Sequence, residues 1–146
     1  MKMKVITKYH GEIEIDESQI LTLEKGMLGY EYLTKFVLIS EEDLFLEYLQ
    51  SVEDQVAFAI MDPFMAKKDY AFELPDSVVK ALDIKSESDV VIKTVVVIPE
   101  QIEKIRTNLQ APIIFNKENN KGMQIILGDE YPMRYEFFHK EDDKQC

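Results

Sequence analysis

Val90-Val91-Ile92-Lys93-Thr94-Val95-Val96-Val97-Ile98 is the most β-branched stretch of the chain. Branching at Cβ suits a pleated strand better than a helix, and so nearly continuous an apolar run reads as a central strand covered on both faces. The core is placed there. Upstream, residues 36–40, 45–52 and 56–61 have the length and residue types of further strands. Asp62-Pro63 closes the last of these, because the residue before proline avoids the helical region and proline cannot donate to a ladder. Asp76, after Pro75, is an N-cap candidate for a short helix with Val78, Val79 and Leu82 on one face. Downstream, Pro99-Glu100 can open a helical turn carrying Ile102 and Ile105, and Asn108-Leu109-Gln110-Ala111-Pro112 reads as a loop. Ile113-Ile114-Phe115 and Met123-Gln124-Ile125-Ile126-Leu127 then pair across a polar turn at 117–122 that contains Asn119, Asn120 and Gly122.

The beginning of the chain follows the same logic. Lys4-Val5-Ile6-Thr7-Lys8-Tyr9, His10-Gly11 and Glu12-Ile13-Glu14-Ile15-Asp16 read as a hairpin whose second arm alternates apolar and acidic residues, so one of its faces is wet. Ile20-Leu21-Thr22-Leu23 continues as a strand until the loop Glu24-Lys25-Gly26-Met27-Leu28-Gly29-Tyr30. Many short strands with one or two short helices define the expected fold class: mainly β, a small antiparallel β-barrel-like domain. It is expected to occupy residues 1–135, followed by a polar C-terminal tail at 136–146 whose run Glu141-Asp142-Asp143 frays.

At 146 residues, 46% hydrophobic and 31% charged, the chain can bury a core as one globular domain. Its 28 acidic and 17 basic residues leave a net charge of −11. That balance disfavours direct nucleic-acid binding, which needs clustered cations to displace counterions; the nearest approach to a cluster is Lys67-Lys68. An acidic surface instead steers basic proteins toward itself. The single cysteine, Cys146, excludes an intramolecular disulfide and fits a reducing compartment. Met1-Lys2-Met3-Lys4 leads straight into β alternation with no signal-like apolar run, and no segment approaches the length of a membrane span. A cytoplasmic location with no membrane partner is expected.

No catalytic constellation stands out, so no catalytic, cofactor-binding or metal-ligating residue is assigned and no cofactor is expected. His10 in a turn and His139 in the tail lack the partners at fixed spacing that a zinc site needs. Gly26 and Gly29 share the Gly-x-x-Gly spacing of an RNA-backbone clamp, but Glu24 and Glu31 flank them; positive φ in a loop is the simpler use. Glu73 and Asp76 flank Leu74-Pro75 ahead of a helix, where capping accounts for Asp76. An enzyme would require acids such as Asp62, Asp69 and Glu73 to converge in one pocket. Any exposed aromatic in Asp62-Pro63-Phe64 or Asp69-Tyr70-Ala71-Phe72 is a natural anchor for a protein partner.

Several strings, taken in order, resemble the FliW family of flagellar assembly factors. They are Thr7-Lys8-Tyr9-His10-Gly11 with Ile13-Glu14-Ile15, Glu24-Lys25-Gly26-Met27-Leu28-Gly29-Tyr30-Glu31, and Leu49-Gln50-Ser51. Ala57-Phe58, Asp62-Pro63-Phe64 and Asp69-Tyr70 follow, then Asn108-Leu109-Gln110-Ala111-Pro112-Ile113 and Gly122-Met123-Gln124-Ile125-Ile126-Leu127. The resemblance spans Met3 to Arg134; Tyr30 stands where the family usually has Phe, and residues 135–146 extend beyond its usual end. It implies a non-enzymatic, β-barrel-like protein with two partners: flagellin, and CsrA, a basic dimeric RNA-binding repressor of translation. In that scheme unassembled flagellin holds FliW; once flagellin is exported, FliW captures CsrA and relieves repression of flagellin mRNA. The partner-binding residues carried by the resemblance are Asp62, Pro63, Phe64, Asp69, Tyr70, Asn108, Leu109, Gln110, Ala111 and Pro112. Two other readings stand beside it: a chaperone for flagellin alone, or a small acidic enzyme with a carboxylate site.

Overall fold

β1 (Lys2–Ile6) and β2 (Glu12–Asp16) form the expected hairpin, in antiparallel register from Lys2↔Asp16 to Ile6↔Glu12. The structure is a computed structural model describing residues 1–40 and 45–138. The first arm ends at Ile6 rather than Tyr9, because Thr7 starts the turn: its hydroxyl accepts from His10 N at 2.7 Å and its backbone N–H donates to Gly11 O at 2.9 Å. β3 (Leu21–Leu23), β4 (Lys35–Ser40), β5 (Glu47–Ser51) and β6 (Ala57–Met61) follow as an antiparallel meander.

Two short helices come next, α1 (Pro63–Ala66) and α2 (Asp76–Ala81). Asp62 closes β6 as expected but also starts α1, its carboxylate accepting from Phe64 N at 2.9 Å with Pro63 in the first turn. Asp76 is not the N-cap of α2. Pro75 holds that position with no side-chain cap, and Asp76 sits in the first turn, where its charge faces the positive end of the short helix.

β7 (Val90–Val97) is the hub of the sheet. One edge pairs with β6 at Ile60↔Val95 and Met61↔Thr94. The other pairs first with β9 (Ile113–Asn116), from Val90↔Asn116 to Lys93↔Ile113, and then with β8 (Arg106–Thr107) at Val96↔Thr107 and Val97↔Arg106. β10 (Lys121–Gln124) pairs antiparallel with β9 and parallel with β3. That parallel pairing closes the ring β3-β4-β5-β6-β7-β9-β10, a closed barrel with no free edge of its own. The barrel is therefore antiparallel except at its closing seam. β11 (Tyr135–Glu136) adds to β8 outside the ring, and Phe137 and Phe138 pack beside Leu46, Met61, Val96 and Ile105. The ordered structure thus crosses the 135/136 boundary read from the sequence; His139, the acidic run and Cys146 lie outside the described residues.

Alternation along each strand sorts side chains between lumen and outside. Leu21, Leu23, Phe36, Leu49, Ile60, Ile113 and Phe115 fill the barrel with Met27 and Leu33, each contributing about 1.5–3 kcal/mol by leaving water. The outer wall is covered in three patches. The β1–β2 hairpin lies over Val37, α2 lies over Ile114, and the segment through Ile105 and Phe137 lies over Met61 and Val96. β7 is accordingly covered on both faces, though thinly: Val91 and Val95 pack inward, Val90 and Ile92 outward toward α2, and Val97 with Ile98 is exposed.

Candidate protein-docking site

The two segments carried by the sequence resemblance meet at Tyr70. Its ring is buried and its hydroxyl donates to the Leu109 carbonyl at 2.7 Å. Three rings surround it: Tyr131 at 4.7 Å between centroids, Phe72 at 5.5 Å and Phe64 at 5.9 Å. Burial raises the Tyr70 pKa above its ordinary value of 10.0. Tyr131, which the sequence reading passed over, fastens the same corner: its hydroxyl donates to Ala71 O at 2.7 Å and accepts from Ala71 N at 3.1 Å.

The loop at 108–112 bulges between β8 and β9, which share one edge of β7. Asn108 organises it, its side-chain oxygen accepting from Gln110 N at 3.0 Å and Ala111 N at 3.1 Å while its backbone N–H donates to Val95 O. Leu109 and Ala111 are buried. Pro112 is buried too, and its carbonyl accepts from Ile125 N at 3.0 Å. Gln110 is half-buried, its carbonyl taken by Leu127 N at 2.7 Å.

The ten residues therefore divide. Pro63, Tyr70, Leu109, Ala111 and Pro112 build the corner and show almost nothing to solvent. Phe64 and Asp69 are exposed, while Asp62, Asn108 and Gln110 are partly so. Asp69 pairs with Lys67 at 2.9 Å, which holds its carboxyl below the usual range and raises the lysine in turn. Of the acids Asp62, Asp69 and Glu73, Asp62 caps α1, Asp69 pairs with Lys67, and Glu73 is exposed along the neighbouring cleft. Among the described residues no group of three or more His, Cys, Asp and Glu side chains is placed to hold a metal ion.

Phe64 and Phe72 lead from this corner into a cleft that the sequence reading missed. Roughly 650 Å³ in volume, it has Val90 and Ile92 of β7 as its floor, Leu74 on one wall, and Val79 and Ile84 on the other. The Tyr70 and Tyr131 bonds tether the first wall. The second is tied down by two asparagines: Asn116 at the end of β9, which the sequence reading passed over, and Asn119, which it marked only as a turn former. Buried Asn116 donates to Leu82 O at 2.8 Å and Asp83 O at 3.2 Å, and Asn119 adds a bond to Leu82 O at 3.0 Å, so carbonyls at the end of α2 are satisfied from the β9–β10 turn. A smaller groove, roughly 390 Å³, opens beyond the short β6–β7 ladder, with Ala57 and Ala59 facing Val97 and Ile98 and with Tyr9 and Tyr48 on its rim. Its lining carries no charged side chain.

The Gly-x-x-Gly loop serves the fold. Gly26 has φ +66°, and a Cβ there would fall 2.7 Å from both the Glu31 Cα and the Tyr30 carbonyl. Gly29, at φ +84°, lies in the turn closed by Tyr30 N donating to Met27 O at 2.7 Å. Gln50, in a string shared with the resemblance, is also structural: fully buried, it accepts from Lys8 N at 3.0 Å and donates to Ser51 O at 2.9 Å, stitching the first hairpin to the barrel.

Fold and site together define a small closed β-barrel whose outer wall carries a preformed apolar cleft with carboxylates on its rim. The model of the FliW protein family matches residues 4–137, reaching past Arg134 to the Phe137 that packs on the barrel. The chain belongs to the FliW family. It is 45% identical over 139 residues to the flagellar assembly factor FliW of Caldicellulosiruptor saccharolyticus, covering 94% of this chain and 91% of that one. To the protein of the same description from Clostridium acetobutylicum it is 43% identical over 140 residues, covering 94% and 99%. A crystal structure of the flagellar assembly factor FliW superposes with a TM-score of 0.90 at 33% identity, covering 95% of this chain and 99% of that chain.

Proposed function

We propose that this chain acts by binding, as a flagellar assembly factor that exchanges between two protein partners in the cytoplasm. It holds flagellin while flagellin is unassembled, and when export removes flagellin it captures CsrA and relieves repression of flagellin mRNA. The observation that carries this reading is family membership along nearly the whole chain. The net charge of −11 agrees with it, since an acidic barrel attracts a basic RNA-binding protein and repels the RNA that protein holds. A coupling of about 1–3 kcal/mol between the two binding events is sufficient, because it weakens RNA binding roughly 5- to 150-fold.

The test is a titration of this chain with the CsrA of its own organism, in the absence and presence of that organism's flagellin. Saturable CsrA binding that flagellin weakens supports the exchange. Flagellin binding without CsrA binding reduces the protein to a flagellin chaperone.

A further inference from the structure

We propose that the cleft between α2 and β7 receives a large apolar side chain carried on a basic segment of the partner protein. The proposal rests on the reading above and assigns a surface to the basic partner. The cleft is apolar on its floor and both walls, with Phe64 exposed at its edge, and such a contiguous apolar hollow on a soluble chain marks a contact site. Its walls do not need to be ordered on binding. One is held by Tyr70 and Tyr131, the other by Asn116 and Asn119, so little conformational freedom is lost when the hollow is filled.

Charge chooses the occupant. The charged residues that line the cleft are Glu73 and Glu87, both exposed and neither in an ion pair with a described residue. Of the lysines close in sequence, Lys67 pairs with Asp69 at 2.9 Å and Lys85 with Asp83 at 3.7 Å, and exposed Lys80 does not line the cleft. Between Glu73 and Asp89 the sequence sets five carboxylates against two lysines. An apolar hollow rimmed by free carboxylates fits an anchor flanked by Lys or Arg: the anchor is desolvated in the hollow while the flanking cations meet Glu73 and Glu87 at its edge. RNA, which carries only negative charge along its backbone, is disfavoured at the same rim.

Two variants test this with the full-length chain. Glu73→Lys/Glu87→Lys reverses the rim at exposed positions, and Val79→Trp fills the hollow; melting curves matching the parent establish that each is folded. Titrated with CsrA at fixed ionic strength, both are expected to bind about tenfold or more weakly, with flagellin binding within about twofold of the parent. The rim variant is also expected to have a shallower salt dependence. If the unaltered chain binds CsrA and both folded variants bind it equally well, the cleft assignment is overturned and the exchange reading survives. If the variants lose flagellin and keep CsrA, the basic occupant is wrong. No CsrA binding by the unaltered chain overturns the exchange reading and the occupant together.

Discussion

Replacing Tyr70 with phenylalanine removes one oxygen from the corner that joins α1, the 108–112 loop and one wall of the cleft. The ring keeps its contacts with Phe64, Phe72 and Tyr131, so the perturbation is confined to the hydroxyl and the Leu109 carbonyl it serves at 2.7 Å. Tyr70 is 2% exposed and Leu109 0%, so no water replaces the donor. An orphaned buried carbonyl costs about 1–3 kcal/mol. For a chain of this length about 1 kcal/mol moves Tm by roughly 3 °C, so Tyr70→Phe is expected to melt about 3–9 °C lower in a calorimetric scan at neutral pH. The same hydroxyl gives the loss a pH signature. Burial raises its pKa above the ordinary 10.0, so above that pH the unfolded chain gives up a proton that the folded chain retains. The stabilisation linked to that proton is fully present below about pH 10 and is lost as pH rises, by up to about 1.4 kcal/mol per unit. The parent's advantage over Tyr70→Phe is therefore expected to shrink above pH 10. A variant melting within about 1 °C of the parent at neutral pH, or an advantage that grows in alkali, refutes the assignment of Tyr70 as the buried tie.

Other substitutions probe the remaining supports. Gly26→Ala combines a left-handed backbone with a Cβ set 2.7 Å from backbone atoms, and urea titration is expected to show a loss of about 2–4 kcal/mol; Gly29→Ala, which meets open space, is expected to lose only about 1. Asn116→Ala leaves the Asp83 carbonyl without its side-chain donor and Leu82 with only the Asn119 bond. A loss of about 1–3 kcal/mol is expected, with faster hydrogen exchange at the Leu82 and Ile84 amides. Lys93→Met removes the ammonium 2.6 Å from the Glu47 carboxylate, a half-buried pair, and leaves Glu47 only the Ser40 hydroxyl at 3.1 Å. It is expected to cost about 2–3 kcal/mol, most of which Lys93→Met/Glu47→Leu restores in denaturant titrations.

The strands were readable because their signals are local. The alternation of β2, the β-branched run of β7, and the polar turn between β9 and β10 each lie within a few residues, and the structure contains all three. The second arm read at 123–127 is, however, β10 at Lys121–Gln124, so Lys121 and Gly122 belong to the strand and not to the turn. Closure of the barrel was not readable, since the parallel β10–β3 seam joins segments a hundred residues apart without any pattern shared between them. The candidate site was legible in part for a related reason. Strings such as Asn108-Leu109-Gln110-Ala111-Pro112 mix residues that hold a corner with residues that face water, and only the fold separates buried Leu109 from half-exposed Gln110. The cleft could not be read: Phe64, Leu74, Val79, Ile84 and Ile92 come from separate stretches of the chain, and nothing local shows that they line one hollow. Asn119 carried a true turn signal but concealed its second use on the Leu82 carbonyl, and Asn116, between the strand and the turn as read, gave no signal of its own.

The most direct test of partner exchange is release of RNA. A labelled leader of flagellin mRNA is bound to CsrA, this chain is added at increasing concentration, and the bound fraction is followed at low and high salt, with and without flagellin. The chain is expected to displace the RNA, flagellin to restore it, and added salt to blunt the displacement while binding of the chain to CsrA persists. RNA that stays on CsrA when CsrA is saturated with this chain contradicts the account. Displacement that is indifferent to salt contradicts its electrostatic part.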